Sequence, residues 1–394
     1  MAIEMLDEIR QARTAMQKDR PQEDGGTRPP ILHTPCVRAP WLEALVLKAW
    51  EREDRGGLEV RLKLETQQET ASFKQRGAFN KLRCLREAYP DSPIHVFTAS
   101  AGNHAQGVAR HARDFDIQAT IVMPTSTPRV KVENTRRLLE GTTGEVVLFG
   151  NDYDAARKCA DEQFAQAEDA AERMNPRPAV AMVHAFNDRA VIAGQGTVGL
   201  ELLEDWPDVD VVVAGVGGGG LISGIAAAIK PQNASVAIIG VESASQPAAY
   251  LARKRGGEEA VDIDAYGLRR QSIADGIAVA EVGSETLPFL RDSRCVDALL
   301  TVQEDEIAHA IAIVLRKGKL VIEGACATTV AALLNPANRT LFEGKRVVLV
   351  LSGGNLDPVR LAEIIHWHEF SQFVAENRME PDEAWEKAQA RATA

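Results

Sequence analysis

From residue 58 onward the chain alternates between two textures. Short runs rich in Val and Ile are apolar at nearly every position. Longer stretches are apolar only at every third or fourth position. The short runs predict strands covered on both faces, and the longer ones predict amphipathic helices. "LEVRLKLE" (58–65) reads as a strand. "PIHVFTAS" leads into the helical "HAQGVARHARDF", "QATIVMP" into "RVKVENTRRLLEG", and "GEVVLFG" into "DYDAARKCADEQFAQAEDAAERM". "AMVHAF" precedes "VIAGQGTVGLELLEDW", and "VDVVVAG" precedes "LISGIAAAIK" and "SVAIIGVE". Towards the end, "DEIAHAIAIVLRKG" and "ACATTVAALL" read as helices, "RVVLVLSGG" as a strand and the remainder as helix. Residues 1–20 and 41–53 also carry helical patterns, with a Pro-, Gly- and charge-rich linker at 21–30. The alternation predicts an α/β fold with mostly parallel sheets.

The 394 residues suffice for one large or two medium domains. No apolar run reaches the roughly 18 residues of a membrane span, so no membrane partner is expected. The first residues carry acids where a secretory leader carries bases, so the expected location is cytoplasmic. A net charge of −11 with no basic block argues against nucleic acid and anionic lipid as partners. An anionic ligand would need positive potential built locally. Cys36, Cys84, Cys159, Cys295 and Cys326 stand singly, as reduced thiols would, with no zinc spacing.

Candidate chemistry begins with the glycines. "VDVVVAGVGGGGLISGIAAAIK" places strand, glycine loop and helix in order. Gly215, Gly217 and Gly220 satisfy G-x-G-x-x-G, and Glu242 follows at the end of the next strand, as in a dinucleotide fingerprint. Four adjacent glycines, Gly217, Gly218, Gly219 and Gly220, also make a cup of backbone N–H groups at a helix start, which suits one phosphate group. A tight turn without ligand is the third reading, made costly by the entropy of glycine.

Three more stretches lie at strand ends. In "FTASAGNHAQGVARHA", Ser100, Ala101, Gly102, Asn103 and His104 offer amides and polar side chains that can hold a carboxylate; Asn103 could instead cap the helix. Ser352 ends "VVLVL" at the carboxyl end of a strand, where ligands of open sheets sit. In "TASFKQRG", Thr70 or Ser72 reads as an N-cap, which places Lys74 in the first helical turn. The dipole disfavours a charged ammonium there, and a lysine pushed towards neutrality is suited to imine formation.

Together these words resemble the fold-type II pyridoxal-phosphate enzymes, most closely the threonine/serine dehydratase (threonine ammonia-lyase) group. The matching words are "SFKQRGAFNKL", "SAGNHAQGVA", "GQGTVGLELL", "GVGGGGLISG", "ADGIAV" and "LSGGN", in the family's order across residues 33–356. The resemblance implies a tryptophan synthase β-like fold: two domains of mostly parallel, helix-covered open sheets. It implies a large cofactor domain of 1–92 plus 183–394, with 1–30 as N-terminal helix and linker. A small domain of 93–182 would carry the substrate-carboxylate loop. Lys74, beside Phe73, would form the imine with pyridoxal 5′-phosphate and serve as the base. Asn103 would contact the cofactor's ring oxygen, Gly217–Gly220 with Leu221 would hold the phosphate, and Ser352 would face the pyridine nitrogen. Ser100, Ala101, Gly102, Asn103 and His104 would take the substrate carboxylate.

The implied reaction is β-elimination from a β-hydroxy amino acid, threonine or serine, giving a 2-oxo acid and ammonia in a homodimer or homotetramer. A serine facing the ring nitrogen does not protonate it as an aspartic acid would, which favours elimination over transamination. β-Replacement and racemisation are alternatives on the same fold; a nicotinamide-dependent dehydrogenase is a more remote one. Racemising relatives carry a second serine where this chain has Ala101, and a methyl group moves no proton. Glu242 matches one ligand of the monovalent or divalent cation that some relatives bind, but Ala248 stands where an aspartate ligand would be. About 40 residues follow Asn355, too few for a C-terminal regulatory domain, so none is expected.

Overall fold

In the computed structural model, the Val- and Ile-rich runs pair into two separate sheets. The structure describes residues 2–377 except 22–26, 54–55, 258 and 269. The strands are β1 (Cys36–Arg38), β2 (Glu59–Leu64), β3 (Ile94–Ala99), β4 (Gln118–Met123), β5 (Glu145–Leu148), β6 (Ala179–Met182), β7 (Val211–Gly215), β8 (Ala237–Ser243), β9 (Ala298–Val302) and β10 (Arg346–Leu351). Six form one sheet in the order β9-β8-β7-β10-β2-β1, and four form the other in the order β5-β4-β3-β6. Every pairing within them is parallel except that of the edge strand β1 with β2.

The larger sheet divides two cores. Along β7, Val212 and Ala214 point into one and Val211 and Val213 into the other. β10 splits in the same way, with Val348 and Val350 opposite Val347, Leu349 and Leu351. Strands buried on both faces read as unbroken apolar runs, which is why these two were plain in the sequence. The helices Arg189–Asp205 and Gly220–Ile229 cover one face, and Glu304–Ile313 and Gly324–Leu334 the other.

The core under the smaller sheet also takes in Ala78, Phe79 and Leu82 of the helix Lys74–Ala88. The first helix, Ala2–Met16, joins two cores: Met5, Leu6 and Ile9 belong to a core of the larger sheet, and Ala12 and Met16 to that of the smaller. Its apolar positions repeat every three to four residues, so one face meets both. The linker read at 21–30 lies partly outside the described residues; its flanks, Arg20–Pro21 and Thr27–Arg28, pair as a short antiparallel ladder.

Several elements were not anticipated. β1 has only three residues, and β9 is an edge strand with only Leu299 and Val302 of its five residues buried. The helix Ala248–Arg255 begins directly after Pro247, inside the stretch compared with a cation site. No helix among the described residues is long and apolar enough to cross a membrane. Cys159, Cys295 and Cys326 are buried free thiols, while Cys36 and Cys84 are half-buried.

Candidate active site

β3, β7 and β10 all end on one large cavity of about 1230 Å³. It is lined by Phe73, Lys74, Ser100, Ala101, Gly102, Asn103, His104, Gly217–Leu221 and Ser352. Every residue expected to bind cofactor or substrate therefore faces one space, and Glu242, the candidate cation ligand, does not. The cavity's volume exceeds that of a typical single-ligand pocket, so a cofactor and a small substrate fit together.

Lys74 is the first residue of its helix, but neither Thr70 nor Ser72 caps it. The N-cap is Phe73, without a side-chain hydrogen bond, and Ser72 is instead bridged to Gly353. The Phe73 N–H donates to the Ser352 carbonyl at 3.0 Å, which ties the start of the lysine helix to the end of β10. Lys74 Nζ donates to the Ala185 carbonyl at 2.8 Å. That carbonyl sits on a turn shaped by His184, whose Nδ1 accepts from the N–H groups of Phe186 and Asn187 at 3.3 and 2.9 Å. Burial lowers the Lys74 amine to about 8, against the raising influence of Glu323. The expected depression is thus present, with desolvation as its main cause.

The glycine loop is held from three sides. Gly219, at φ +92°, caps the helix Gly220–Ile229 in a left-handed conformation that favours glycine. A Cβ on Gly218 would lie 2.2 Å from the Phe186 ring. A Cβ on Gly217 would lie 2.9 Å from Ile277 Cα, and one on Gly219 2.7 Å from Thr286 Oγ1. The Thr286 hydroxyl donates to the Gly218 carbonyl at 2.5 Å, which gives that carbonyl a partner within the protein. First-turn N–H groups of a helix have no intrahelical partner, so those at the Gly220 end are available to an anion. The glycines, helix start and nearby lysine fit a phosphorylated aldehyde.

Asn103 does not cap its helix. That position is Gly102, and the Asn103 side chain points elsewhere. Its Nδ2 donates to Glu323 Oε1 at 2.8 Å and lies 3.0 Å from Oε2, while its Oδ1 accepts from Asn355 Nδ2 at 2.7 Å. Glu323 is buried, and desolvation raises its carboxyl to about 7 despite the Asn103 hydrogen bond. His104 is buried, with Nε2 3.0 Å from the Val183 carbonyl, and burial depresses it to about 3. It is placed as a neutral structural ring rather than a proton carrier.

Glu242 lies off the cavity. Its two oxygens accept from the N–H groups of Ala249 and Tyr250 at 2.8 and 2.7 Å, so it caps the next helix. Burial raises it to about 8. It is not available to a nucleotide ribose, which removes the acidic half of the dinucleotide fingerprint. Among the described residues no group of three or more His, Cys, Asp or Glu side chains is placed to hold a metal ion.

Sequence reasoning passed over Glu323, Phe186, His184 and Thr286, and gave Asn355 no role. It also missed an ion pair between two cavity-lining residues, Lys131 and Asp275, at 3.1 Å. Of these only Glu323 left a local trace, as a single acid between the apolar "LVI" and a helix start.

Residues 27–353 match the family of pyridoxal-phosphate dependent enzymes. The chain is 44% identical over 323 residues to the L-threonine ammonia-lyase of Thermotoga maritima, covering 82% of this chain and 73% of that protein. It is similar to the processed threonine deaminase isoform 2 of Solanum lycopersicum, with a TM-score of 0.71, 29% identity, and 93% and 87% of the two chains covered. Maize serine racemase superposes with a TM-score of 0.74 at 28% identity, over 93% and 98% of the two chains. With the lysine, the glycine cup and the strand ends in one cavity, and a match over most of its length, this chain belongs to the pyridoxal-phosphate dependent enzymes.

Proposed function

We propose that the chain is an ammonia-lyase that eliminates the β-hydroxyl of L-threonine, L-serine or both, releasing a 2-oxo acid and ammonia. One observation carries the choice of elimination. The cavity presents the Lys74 amine, held near 8, while the carboxylate-loop position that would supply a second base in a racemase is the methyl group of Ala101. Relatives named for threonine deamination support the same choice.

Each residue then has a task. The amides at Gly217–Leu221 receive the phosphate at a helix N-terminus. The loop from Ser100 to His104 receives the substrate carboxylate at a second helix start. Ser352 offers a hydroxyl to the ring nitrogen, and Asn103 an N–H to the ring oxygen. The cofactor, when bound, supplies the electron sink that acidifies the substrate's α-proton. Lys74 removes that proton, because burial lowers its amine to about 8, close enough to physiological pH for a substantial fraction to be neutral.

We also infer a division into 1–92 plus 183–394 and 93–182, a homo-oligomer, and a cytoplasmic setting. Limited proteolysis and sedimentation test the first two, and fractionation of cells the third. The activity is tested by incubating purified protein with L-threonine or L-serine alone. The expected product is 2-oxo acid without added thiol and without D-serine. D-serine as the main product, or a requirement for thiol, would replace this function with racemisation or β-replacement.

A further inference from the structure

Glu323 occupies an unusual place. It is the N-cap residue of the helix Gly324–Leu334, and its carbonyl receives the N–H groups of Cys326 and Ala327 at 3.1 and 3.0 Å. An N-cap side chain ordinarily turns back onto its own helix. This one makes no such bond and reaches across the cavity wall to Asn103. Three further features serve that contact. The Glu323 N–H donates to the Gly353 carbonyl at 3.1 Å, which sets the backbone. Gly353 has no side chain where a Cβ would stand 2.3 Å from Glu323 Oε1 and 3.1 Å from Asn103 Nδ2. Asn355 is anchored by its Nδ2 on the Thr70 carbonyl at 2.8 Å and gives the same nitrogen to Asn103 Oδ1.

The Asn103 amide therefore has one allowed orientation. Turned over, its oxygen would face a carboxylate and its NH2 would face the NH2 of Asn355. With the oxygen on Asn355 and an N–H shared between the two Glu323 oxygens, one N–H is left for the cavity. We propose that Glu323 is a positioning residue that clasps the Asn103 amide and so aims its remaining N–H at the ring oxygen of pyridoxal phosphate. This rests on the lyase function proposed above. A purely structural filler would not need a buried carboxylate, because burying one costs free energy that an apolar side chain avoids.

The test compares the parent enzyme with Glu323→Ala and Glu323→Gln, each reconstituted with pyridoxal phosphate. The absorption and fluorescence of the bound cofactor, its dissociation constant, and kcat and KM for threonine are measured. The parent comes first: cofactor binding and borohydride labelling of Lys74 establish the underlying function, and their absence would remove that function rather than the role of Glu323. Given a labelled parent, Glu323→Ala should keep its cofactor, because Lys74 and the glycine cup are untouched. Its cofactor spectrum should change, and kcat should fall by on the order of 10²-fold with KM moving much less. Glu323→Gln should recover most of both, because its amide oxygen still accepts from Asn103. An unchanged spectrum and kcat in Glu323→Ala would overturn the proposal. So would a Gln variant as impaired as the Ala variant, which would make the negative charge, not the clasp, the acting feature. If Glu323→Ala fails to fold, judged by the melting of its apoprotein, Asn355→Ala removes the opposite side of the clasp and must shift the same spectrum.

Discussion

Removing the Arg76 guanidinium should destabilise the enzyme more than almost any other single polar change, and in a way that only one second change repairs. Arg76 lies two residues after Lys74 and is fully buried. It binds Glu65 with Nε and Nη2, both at 2.7 Å, and Glu201 with Nη1 and Nη2 at 2.8 and 2.9 Å. Thr197 and the Leu32 carbonyl take further bonds at 3.1 and 3.2 Å. Taking one partner from a buried ion pair costs about 3–5 kcal/mol, because the remaining charge is left without a partner. The two acids are not equally exposed to that loss. Glu201 keeps Lys63 at 2.7 Å and Arg13 at 3.1 Å. Among the described residues Glu65 keeps only the Thr34 hydroxyl at 2.6 Å and Gln68 Nε2 at 3.4 Å, neither of them charged. Arg76→Met should therefore cost about 3–5 kcal/mol. Adding Glu65→Gln should restore roughly 1–3 kcal/mol, since it neutralises the orphaned acid. Adding Glu201→Gln should restore none, because it strips Lys63 and Arg13 of their shared anion. Urea unfolding of the four proteins at one saturating cofactor concentration measures the differences. A single variant within about 1 kcal/mol of the parent, or better repair by Glu201→Gln than by Glu65→Gln, would refute the asymmetry.

Three further outcomes follow from the site. The rate at which apoprotein takes up pyridoxal phosphate should rise with pH, pass its midpoint near 8, where half of the Lys74 amine is neutral, and level off above it; a midpoint near the ordinary lysine value of 10.5 would contradict the burial argument. Gly218→Ala should weaken cofactor binding by tenfold or more, roughly 1.4 kcal/mol, because its Cβ meets the Phe186 ring at 2.2 Å; equilibrium titration of the apoprotein checks this. His104 is held at about 3 against an ordinary 6.5, so the folded state resists its protonation. The stability it contributes is full above 6.5 and is lost as pH falls towards 3. Melting temperature measured across that range should therefore fall less steeply in His104→Gln than in the parent.

What the sequence disclosed about this site follows from where the chemistry sits. Lys74, the glycine run, the Ser100–His104 loop and Ser352 each stand where a strand ends or a helix starts, and such positions leave a local signature in a few neighbouring residues. The Val-rich strands β7 and β10 were legible because both faces are buried. β1 escaped because an edge ladder of three residues carries too few positions for a period, and β9 because, at the other edge of the sheet, only Leu299 and Val302 of its five residues are buried. Glu323 escaped for a different reason. It meets Asn103 across 220 residues of chain, and no spacing or periodicity encodes a contact of that separation. The caps expected from Thr70, Ser72 and Asn103 also failed, for two reasons. For Asn103 the reason is competition, since its side chain is claimed by Glu323 and Asn355 from two other elements; Thr70 and Ser72 instead fall short of the cap position, which Phe73 takes, while the Ser72 backbone bridges to Gly353. The glycines show how a correct local argument can still be incomplete. The proposed phosphate cup asks for backbone without side chains at Gly217–Gly220. The one Cβ that each of Gly217, Gly218 and Gly219 could carry is already blocked, by Ile277, Phe186 and Thr286 respectively. A substitution there is therefore opposed by the protein's own packing before any ligand arrives.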